Sequence, residues 1–407
     1  MTDELLGWAA QMPIFATHLT GVVENVLGQV LEAFQSRMTG LLGRCTCRAL
    51  ADNLQLAANM AKEPSAPQAG EAVAFFVGKN GSSDGVDAFV TSALNAGFGS
   101  GGEAAQIEVL QRIFQERPVR ADALLGSADK VTGLAALSDS ADYLAEVIAR
   151  SGAMDVSAIG SSSRPSSPSR NQSTNRVSGM LTLGMSHLMD RYRSLAGHSL
   201  RALRLDLELA VLHYLQDLPS NKWACEEEEA TEVDECAGAL IRAASRAEED
   251  LAPLLPARKR AYLFTCLGFA AARTIMWLLP EIESMNQHGI ARMCRLLAVV
   301  QPALSSLGAA GAAFRPESAR AFEKARAYYS LLTLPADGLI KAAAEKPKRF
   351  TSAEYMALLQ VDYAGREVTG DHLSQLSKIV GAKDPKGRSL FASAASMPFV
   401  STASMKH

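Results

Sequence analysis

Hydrophobic positions recur every three or four residues along most of the chain, which is the spacing of one face of an α-helix. The first stripe comprises Leu19, Val22, Val23, Val26, Val30, Phe34 and Met38, and predicts one long helix with a single apolar face. The second follows a predicted N-cap at Ser127 and comprises Val131, Leu134, Leu137, Leu144 and Ile148. Weaker patterns at 86–94 and 103–114 predict short helices. We therefore expect an N-terminal helical bundle over residues 1–150.

A change in composition interrupts this pattern at residues 151–178, which are rich in Ser, Pro, Arg and Asn. Such a stretch buries too little apolar surface to offset the conformational entropy lost on ordering. We predict a flexible low-complexity linker over 151–178, followed by a C-terminal helical bundle region over 179–382. The polar, Ser/Ala-rich residues 383–407 are predicted to form a disordered tail.

Helical patterns continue after the predicted linker, and prolines limit them. The predicted helices cover 180–218, a stretch that ends at Leu251, and 258–279. Another helix follows a short link at 287–289, and a further one begins at Pro316. Of the last two, one follows the capping-box pair Thr351 and Glu354 and the other covers 373–379. The clearest stripe is a heptad-like seam of Ile290, Met293, Leu297, Val300, Leu304 and Leu307. The predicted fold class is all-α, an elongated rod of stacked helical bundles with a disordered Ser/Arg/Pro-rich insertion.

Residues 261–279 form the most apolar stretch and are long enough to suggest a membrane span. Arg273 lies near the middle, however, and a charge at that depth is costly in hydrocarbon. We therefore interpret this stretch as a buried helix of the protein core.

Composition and charge narrow the class of protein. The chain has 407 residues, 48% of them hydrophobic and 20% charged, with a formal net charge of −3. The near balance of charge argues against a nucleic-acid partner, which favours a basic surface. Six cysteines are too few for a disulfide framework in a chain of this length, and no secretory signal is recognised at the N-terminus. A cytoplasmic location is expected.

Few candidate chemical sites are present. Cys45 and Cys47 form one thiol pair, without the second pair that a structural zinc site needs, and His18 is too isolated to complete it. Cys225 and Cys236 flank the acidic run 226–229, at a spacing typical of no zinc motif. The remaining candidates are three histidines too far apart on one predicted helix to share a site: His187, His198 and His213. We predict no metal, no cofactor and no catalytic residues.

Two basic clusters, 258–260 and the group Lys346, Lys348 and Arg349, could contact anionic lipid. Basic residues at helix ends are the commoner explanation. The glycines at 97–102 are not followed by the Lys–Ser/Thr of a phosphate-binding loop. The chain is therefore predicted not to be an enzyme, although an all-helical enzyme with a polar cleft stays an open alternative.

Four segments in order carry a resemblance to a known family. They are SLRALRLDLELAVLHYLQDL at Ser199–Leu218, YLFTCLGFAAARTIMWLLPEIESMNQHGIARMCRLLAVVQPAL at Tyr262–Leu304, ARAYYSLLTLPADGLI at Ala325–Ile340, and FTSAEYMALLQVDYAGR at Phe350–Arg366. Together they resemble the C-terminal portion of the Sec-eight family of exocyst subunits (exocyst complex component four). The resemblance is clearest over 179–380.

The resemblance implies a non-catalytic scaffold of stacked helical bundles in the exocyst, which docks secretory vesicles at the plasma membrane before SNARE-mediated fusion. It implies other exocyst subunits as partners, and small GTPases, SNARE machinery and peripheral membrane association through the complex. Full-length members also have an N-terminal coiled-coil region that pairs with a sister subunit, and this chain is expected to lack that region. The alternative is a soluble helical adaptor or regulator of another membrane-trafficking pathway, because a shared bundle architecture does not establish function.

Overall fold

The computed structural model describes residues 13–42, 110–111, 114, 118–121, 124–160, 172–231, 234–308, 316–363 and 366–381. Within these ranges the α-helices are α1 Pro13–Leu42, α2 Ala128–Gly160, α3 Gln172–Leu215, α4 Glu235–Leu251, α5 Ala257–Leu278, α6 Gln287–Ser306, α7 Pro316–Ser330, α8 Ala336–Glu345, α9 Ser352–Gln360 and α10 Gly370–Gly381. A two-residue parallel pairing joins β1 Ser284–Met285 to β2 Asp362–Tyr363. The predicted all-α fold is confirmed.

The chain divides into two compact units, each assembled from separate stretches. The first takes its residues from Met1–Gln216, Glu235–Ala271 and Val300–Ala321. The second takes its residues from Asp217–Asp234, Ala272–Val299 and Phe322–His407. The low-complexity stretch 151–178 lies inside the first unit. The division into units therefore differs from the domain boundaries expected from composition. Those boundaries stay a prediction.

The core of the first unit is a set of three long helices in which α1 packs on both α2 and α3. The Tyr192 hydroxyl on α3 donates a hydrogen bond to the Leu27 carbonyl on α1 at 2.7 Å. The Phe34 and Tyr192 rings meet edge to face, with 6.3 Å between their centroids. The buried residues of this cluster are Leu31, Ala141, Ala145, Ile148, Leu188, Tyr192, Leu195 and Ala196. Apolar burial on this scale is the main source of stability for such an arrangement.

The single apolar face predicted for α1 is corrected by this packing. Phe34 and Met38 pack against the core cluster, whereas Val22 is 59% exposed and Val26 is 53% exposed. Val22 and Met38 lie about 160° apart around the helix at about 100° per residue. Residues spaced three and four apart therefore shift gradually around the axis of α1, and the apolar stripe spans two faces of the helix rather than one.

Helix starts that depend on neighbouring residues follow the sequence prediction. Ser127 Oγ accepts a hydrogen bond from the Lys130 amide at 3.3 Å, as expected for an N-cap before α2. Pro316 is the first residue of α7, where its missing N–H costs nothing. Thr351 and Glu354 form a complete capping box at the start of α9.

The start of α6 differs from the prediction, because residues 287–289 form its first turn rather than a link. The Asn286 side chain explains the difference: its Oδ1 accepts a hydrogen bond from the Gly289 amide at 2.8 Å, which caps the helix. The predicted heptad-like seam is buried at Ile290, Met293, Leu297, Val300 and Leu304. The helix continues past Pro302, which lies on its exposed side.

The apolar helix α5 has the length and composition of a membrane span when extended to Ala257–Glu281, and it is the one such helix in the part of the chain that the structure describes. Within the protein, 89% of its most apolar window is buried. Its Ile275 carbonyl accepts a hydrogen bond from the Tyr329 hydroxyl at 2.7 Å. This burial supports the interpretation of α5 as a core helix.

Several predictions fall wholly or partly outside the described residues. Helical backbone extends through Gly160 and resumes at Gln172, so residues 151–160 and 172–178 are helical where a linker is predicted. The prolines begin only at Pro165, beyond the end of α2, and residues 151–160 include the helix-compatible Ala153, Met154 and Ala158. Residues 161–171 lie outside the described residues. The same holds for 43–109, which contains the predicted helix at 86–94, for most of the predicted helix at 103–114, and for the tail 383–407.

Candidate functional site

A buried carboxylate with several partners in the second unit is that of Glu354, at the first turn of α9. Its Oε1 lies 3.0 Å from Arg273 Nη1, and its Oε2 lies 3.5 Å from Lys324 Nζ. Oε2 also accepts a hydrogen bond from the Thr351 amide at 2.8 Å. The Tyr328 hydroxyl donates to the Glu354 main-chain carbonyl at 2.9 Å, and burial holds the pKa of that hydroxyl well above its usual value. Both carboxylate oxygens are engaged within the fold, so this cluster holds helices together.

A second buried cluster lies in the first unit around Arg204. Its Nε lies 3.2 Å from Glu208 Oε1, one turn further along α3. Its guanidinium stacks over the Tyr262 ring at 4.9 Å from the centroid. Burial raises the pKa of the neighbouring Cys266 thiol far above the physiological range. A thiol held protonated is a poor nucleophile, so Cys266 is a packing residue.

Two residues of the basic cluster at 258–260, Lys259 and Arg260, form ion pairs within the fold. Lys259 is buried, and its Nζ lies 3.2 Å from Asp139 Oδ1 and 3.0 Å from Asp142 Oδ2 on α2. Arg260 Nη1 lies 4.0 Å from Glu248 Oε1. A position near a helix end therefore does not fully explain this cluster, because the Lys259 side chain joins α5 to α2. A side chain with these partners is not available to a lipid surface.

The second basic cluster differs in being exposed, on the turn between α8 and α9. Lys346 is the C-cap of α8, where a positive charge interacts favourably with the helix dipole. Lys348 and Arg349 follow on the turn, and the Arg349 guanidinium lies 5.5 Å from the centroid of the Phe350 ring. These positions agree with the helix-end explanation, and contact with anionic lipid stays a prediction.

The three histidines of α3 are separate from one another in environment. His187 is exposed. Burial, with a smaller contribution from nearby Arg201, lowers the pKa of His198 to about 4. His213 Nδ1 lies 2.8 Å from the Val119 carbonyl oxygen. The structure does not bring these rings together into one site.

Polar side chains fasten the segment before α2 to α3 and to Gln216, the residue that follows α3. The Gln216 amide makes two hydrogen bonds with the Val119 backbone, accepting from its N–H at 2.7 Å and donating to its carbonyl at 2.8 Å. The Asp206 carboxylate accepts a hydrogen bond from the Leu125 amide at 2.6 Å. Burial raises the pKa of Asp206 to about 6, against the opposing effects of the Leu125 amide and Lys130.

The cysteines and acidic residues do not assemble a metal site in the part of the chain that the structure describes. Cys225 is buried and Cys236 is half-buried, and neither forms a disulfide. Within the described ranges, no group of three or more His, Cys, Asp and Glu side chains is placed to bind a metal ion. Cys45 and Cys47 lie outside the described residues, and the side chain of His18 is not described.

The acidic run 226–229 is exposed on a loop of the second unit that α6 holds in place. Asn286 Nδ2 donates a hydrogen bond to the Cys225 carbonyl at 2.8 Å, and Arg295 donates to the Ala230 carbonyl. The Arg292 guanidinium lies 5.4 Å from the centroid of the buried Trp223 ring. The run is thus a solvated face on an anchored loop, as a charge run usually is.

One close approach beside this loop was not predicted from the sequence. A Cβ atom built on Gly289 would lie 1.8 Å from the Trp223 carbonyl oxygen, so the backbone of α6 passes too close to residue 223 for any side chain. Glycine at this position is required by contact rather than by an unusual φ angle. A glycine in the first turn of a strongly patterned helix is the signal that could have indicated it.

No family model matches the chain. It is 28% identical over 386 residues to exocyst complex component SEC8 of Arabidopsis thaliana, which is 93% of this chain and 33% of that protein. It is 27% identical over 211 residues to exocyst complex component 4 of Drosophila melanogaster, covering 50% of this chain and 21% of that protein. The corresponding protein of Mus musculus is 24% identical over 210 residues, covering 51% and 21%.

The resemblance to exocyst subunits predicted from the four sequence segments is thus confirmed. The similarity to the Arabidopsis protein extends over more of the chain than the 179–380 region in which those segments lie. The chain spans about a third of the length of the Arabidopsis relative and about a fifth of the two animal relatives it matches.

Proposed function

We propose that this chain is a non-catalytic scaffold subunit of the exocyst vesicle-tethering complex, acting where secretory vesicles dock at the plasma membrane before SNARE-mediated fusion. The observation that carries the proposal is the similarity to an exocyst component over 93% of the chain. A match of that extent involves the helices of both structural units rather than one short motif.

The chemistry of the buried polar groups agrees with a scaffold role. The carboxylates of Glu354 and Asp142 are each engaged by a basic side chain within the fold. The thiol of Cys266 is held protonated by burial. These groups stabilise helix packing, and catalysis would need such groups to converge on a cleft instead.

The partners that we propose are the other subunits of the exocyst. Contact with small GTPases, with SNARE machinery and with the membrane periphery would come through the assembled complex. A cytoplasmic protein recruited to exocytic sites fits this role. We propose no nucleic-acid partner, in keeping with the net charge of −3.

Affinity purification from the cells that naturally express the protein tests this function. The full chain, tagged and expressed from its own locus, is expected to recover the other exocyst subunits in similar amounts. The matched control carries the core substitution Leu297→Asp, which should disrupt packing and abolish recovery, because Leu297 is fully buried. The substitution Glu227→Gln, at an exposed position, should leave recovery unchanged.

The same purification separates the alternative function. Recovery of coat or adaptor proteins of another trafficking pathway, without exocyst subunits, would overturn the proposal in favour of a helical adaptor. Depletion of the protein should also slow secretion of a plasma-membrane cargo. Normal secretion after complete depletion would contradict a role in tethering.

A further inference from the structure

Helix α1 has a second apolar face, directed away from the one that packs in the core. Val22 and Val26 on this face are 59% and 53% exposed, although most large apolar residues of the described chain are buried. Two further exposed positions, Gln29 and Ala33, continue the row. The four positions are separated by four, three and four residues, which is the repeat of a coiled-coil seam.

The same spacing continues toward the start of α1 in the sequence. Counting back from Val22 by three and then four residues reaches Leu19 and Phe15, both of which are apolar. A heptad seam needs apolar residues at two positions in every seven, and this row supplies them from residue 15 to residue 26. The exposed valines therefore belong to a pattern of the kind that pairs two helices.

Two charged residues of opposite sign flank the row on its two sides. Glu32 directly precedes the seam position Ala33, and Arg37 follows it by four residues; both are exposed. With Ala33 at position a of the heptad, Glu32 occupies position g and Arg37 the following position e. These are the positions whose charges set partner choice and orientation in coiled coils.

The charges match those of a second copy in parallel orientation. In a parallel pair, position g of one helix faces the following position e of the other, which lies five residues further along. Glu32 of each copy would then meet Arg37 of the other, and the two-fold symmetry would repeat the pair. Antiparallel pairing would instead place Glu32 against Glu32 or Arg37 against Arg37, and like charges oppose association.

The polar seam position Gln29 also fits two identical helices in register. Gln29 interrupts the apolar row at position d, and the next d position is Ser36; polar side chains within a seam favour the register that pairs them, at some cost in stability. In a parallel pair without an offset, each Gln29 side chain meets its own copy. An amide carries both donors and an acceptor, so two of them satisfy each other. An offset by one heptad would place one Gln29 amide against Ser36 and the other against Val22, which is apolar.

We propose that the row Val22, Val26, Gln29 and Ala33 of α1 pairs with the same row of a second copy of this chain, in parallel and in register. The valines supply the apolar contact, Gln29 sets the register, and Glu32 and Arg37 set the direction. The pairing involves this chain alone, so it does not depend on the proposed function.

Sedimentation equilibrium of the purified full chain tests the pairing. We expect a concentration-dependent species of twice the 43.3 kDa mass of one chain. Val26→Asp should raise the dissociation constant at least about tenfold, because it places two charges against each other in the seam. Gln35→Asp is the matched control and should leave the constant unchanged, since Gln35 is exposed about 180° around α1 from Val26. A chain that is monomeric at all concentrations overturns the proposal, as does a dimer that Val26→Asp leaves intact.

Exchange of the two charges tests the direction of pairing. Glu32→Arg and Arg37→Glu should each raise the dissociation constant by about tenfold, because each brings like charges together. The double variant with both substitutions restores opposite charges and should return the constant to within about threefold of the parent value. Residues 32 and 37 lie about 140° apart on one helix, so an ion pair within the helix cannot explain the recovery. A double variant as weak as the single variants contradicts the parallel orientation.

A disulfide across the seam tests the register. In-register pairing places the two copies of residue 26 opposite each other, within reach of a disulfide. Under oxidising conditions Val26→Cys should form a covalent dimer beyond the level of the parent chain, whose own cysteines set the baseline, and Gln35→Cys should not. Absence of the covalent dimer, when both variants unfold at the temperature of the parent chain, overturns the register.

Photo-crosslinking in the native cells distinguishes a second copy from a different partner. The chain carries p-benzoylphenylalanine in place of Val26, and the expected product has twice the mass of the chain. A product with a different protein, and none of twice the mass, would assign this face to that protein and overturn the proposal. Neither result bears on the recovery of exocyst subunits, so failure of the pairing and failure of the proposed function are separate.

Discussion

Arg273 on α5 and Glu354 on α9 form a buried ion pair across 81 residues of sequence, with 3.0 Å between Nη1 and Oε1. The side chains are only 10% and 6% exposed. A buried charge that loses its partner is costly, because water cannot replace the lost interaction. The pair therefore fastens α9, and with it the capping box of that helix, to the core helix α5.

Removal of the Arg273 side chain should be strongly destabilising. We expect Arg273→Met to lower the free energy of unfolding by about 3 kcal/mol, the lower end for a broken buried pair, since Lys324 and the Thr351 amide still contact Glu354. The measurement is urea denaturation. Lys324→Met is the matched control and should cost about 1 kcal/mol or less, because that side chain is 26% exposed. Equal losses in the two variants would show that Arg273 has no special role.

Substitution of Gly289 tests the close approach between the backbone of α6 and the Trp223 carbonyl oxygen. Gly289→Ala should lower the free energy of unfolding by about 3 kcal/mol, because the new Cβ would meet the Trp223 carbonyl oxygen. Gly28→Ala is the matched control. No atom lies within 4 Å of a Cβ built there, so alanine should stabilise α1 by about 0.5–1 kcal/mol. Chemical denaturation measures both, and stabilisation by Gly289→Ala would rule out the contact.

The sequence predicted features that depend on neighbouring residues. The cap at Ser127, the first-turn proline of α7 and the capping box of Thr351 and Glu354 each involve residues within one helical turn, so local spacing is sufficient to identify them. The same reasoning identified the buried seam of α6. These features carry most of the information needed to place helices and to assign the all-α class.

Features that depend on distant residues were not predictable in this way. Lys259 stands in a run of three basic residues, and its partners Asp139 and Asp142 are about 120 residues earlier. The pattern of α1 specifies which residues are apolar and leaves open which of two faces meets the core. Only the positions of α2 and α3 decide that Leu31 is buried and Val22 is exposed.

The seam of α6 offers a test of core burial. Leu297 is fully buried, so Leu297→Asp would place an unpaired charge among apolar side chains. We expect a loss of at least about 3 kcal/mol in the free energy of unfolding. Val299→Asp on the same helix is the control, since Val299 is 36% exposed, and it should cost about 1 kcal/mol. A melting temperature for Leu297→Asp within a degree or two of the parent chain would place residue 297 at the surface.

Asp206 should make stability depend on pH in the direction opposite to that of a salt-bridged carboxylate. Burial raises its pKa from 3.8 to about 6 in the folded chain, so the folded state binds the proton more tightly than the unfolded state. The free energy of unfolding should therefore fall as pH rises from about 4 to about 6, and this contribution should level off above that range. A shift of this size corresponds to about 3 kcal/mol at most.

The variant Asp206→Asn should remove this dependence while its amide oxygen keeps the hydrogen bond from Leu125. We expect it to match the parent chain near pH 4 and to be more stable by about 1–3 kcal/mol at pH 7. Denaturation series between pH 4 and pH 8 measure the difference. Glu227→Gln, which alters an exposed carboxylate, should show no such change across the series. If Asp206→Asn were less stable than the parent chain at pH 7, the charged form of Asp206 would be the one that the fold favours.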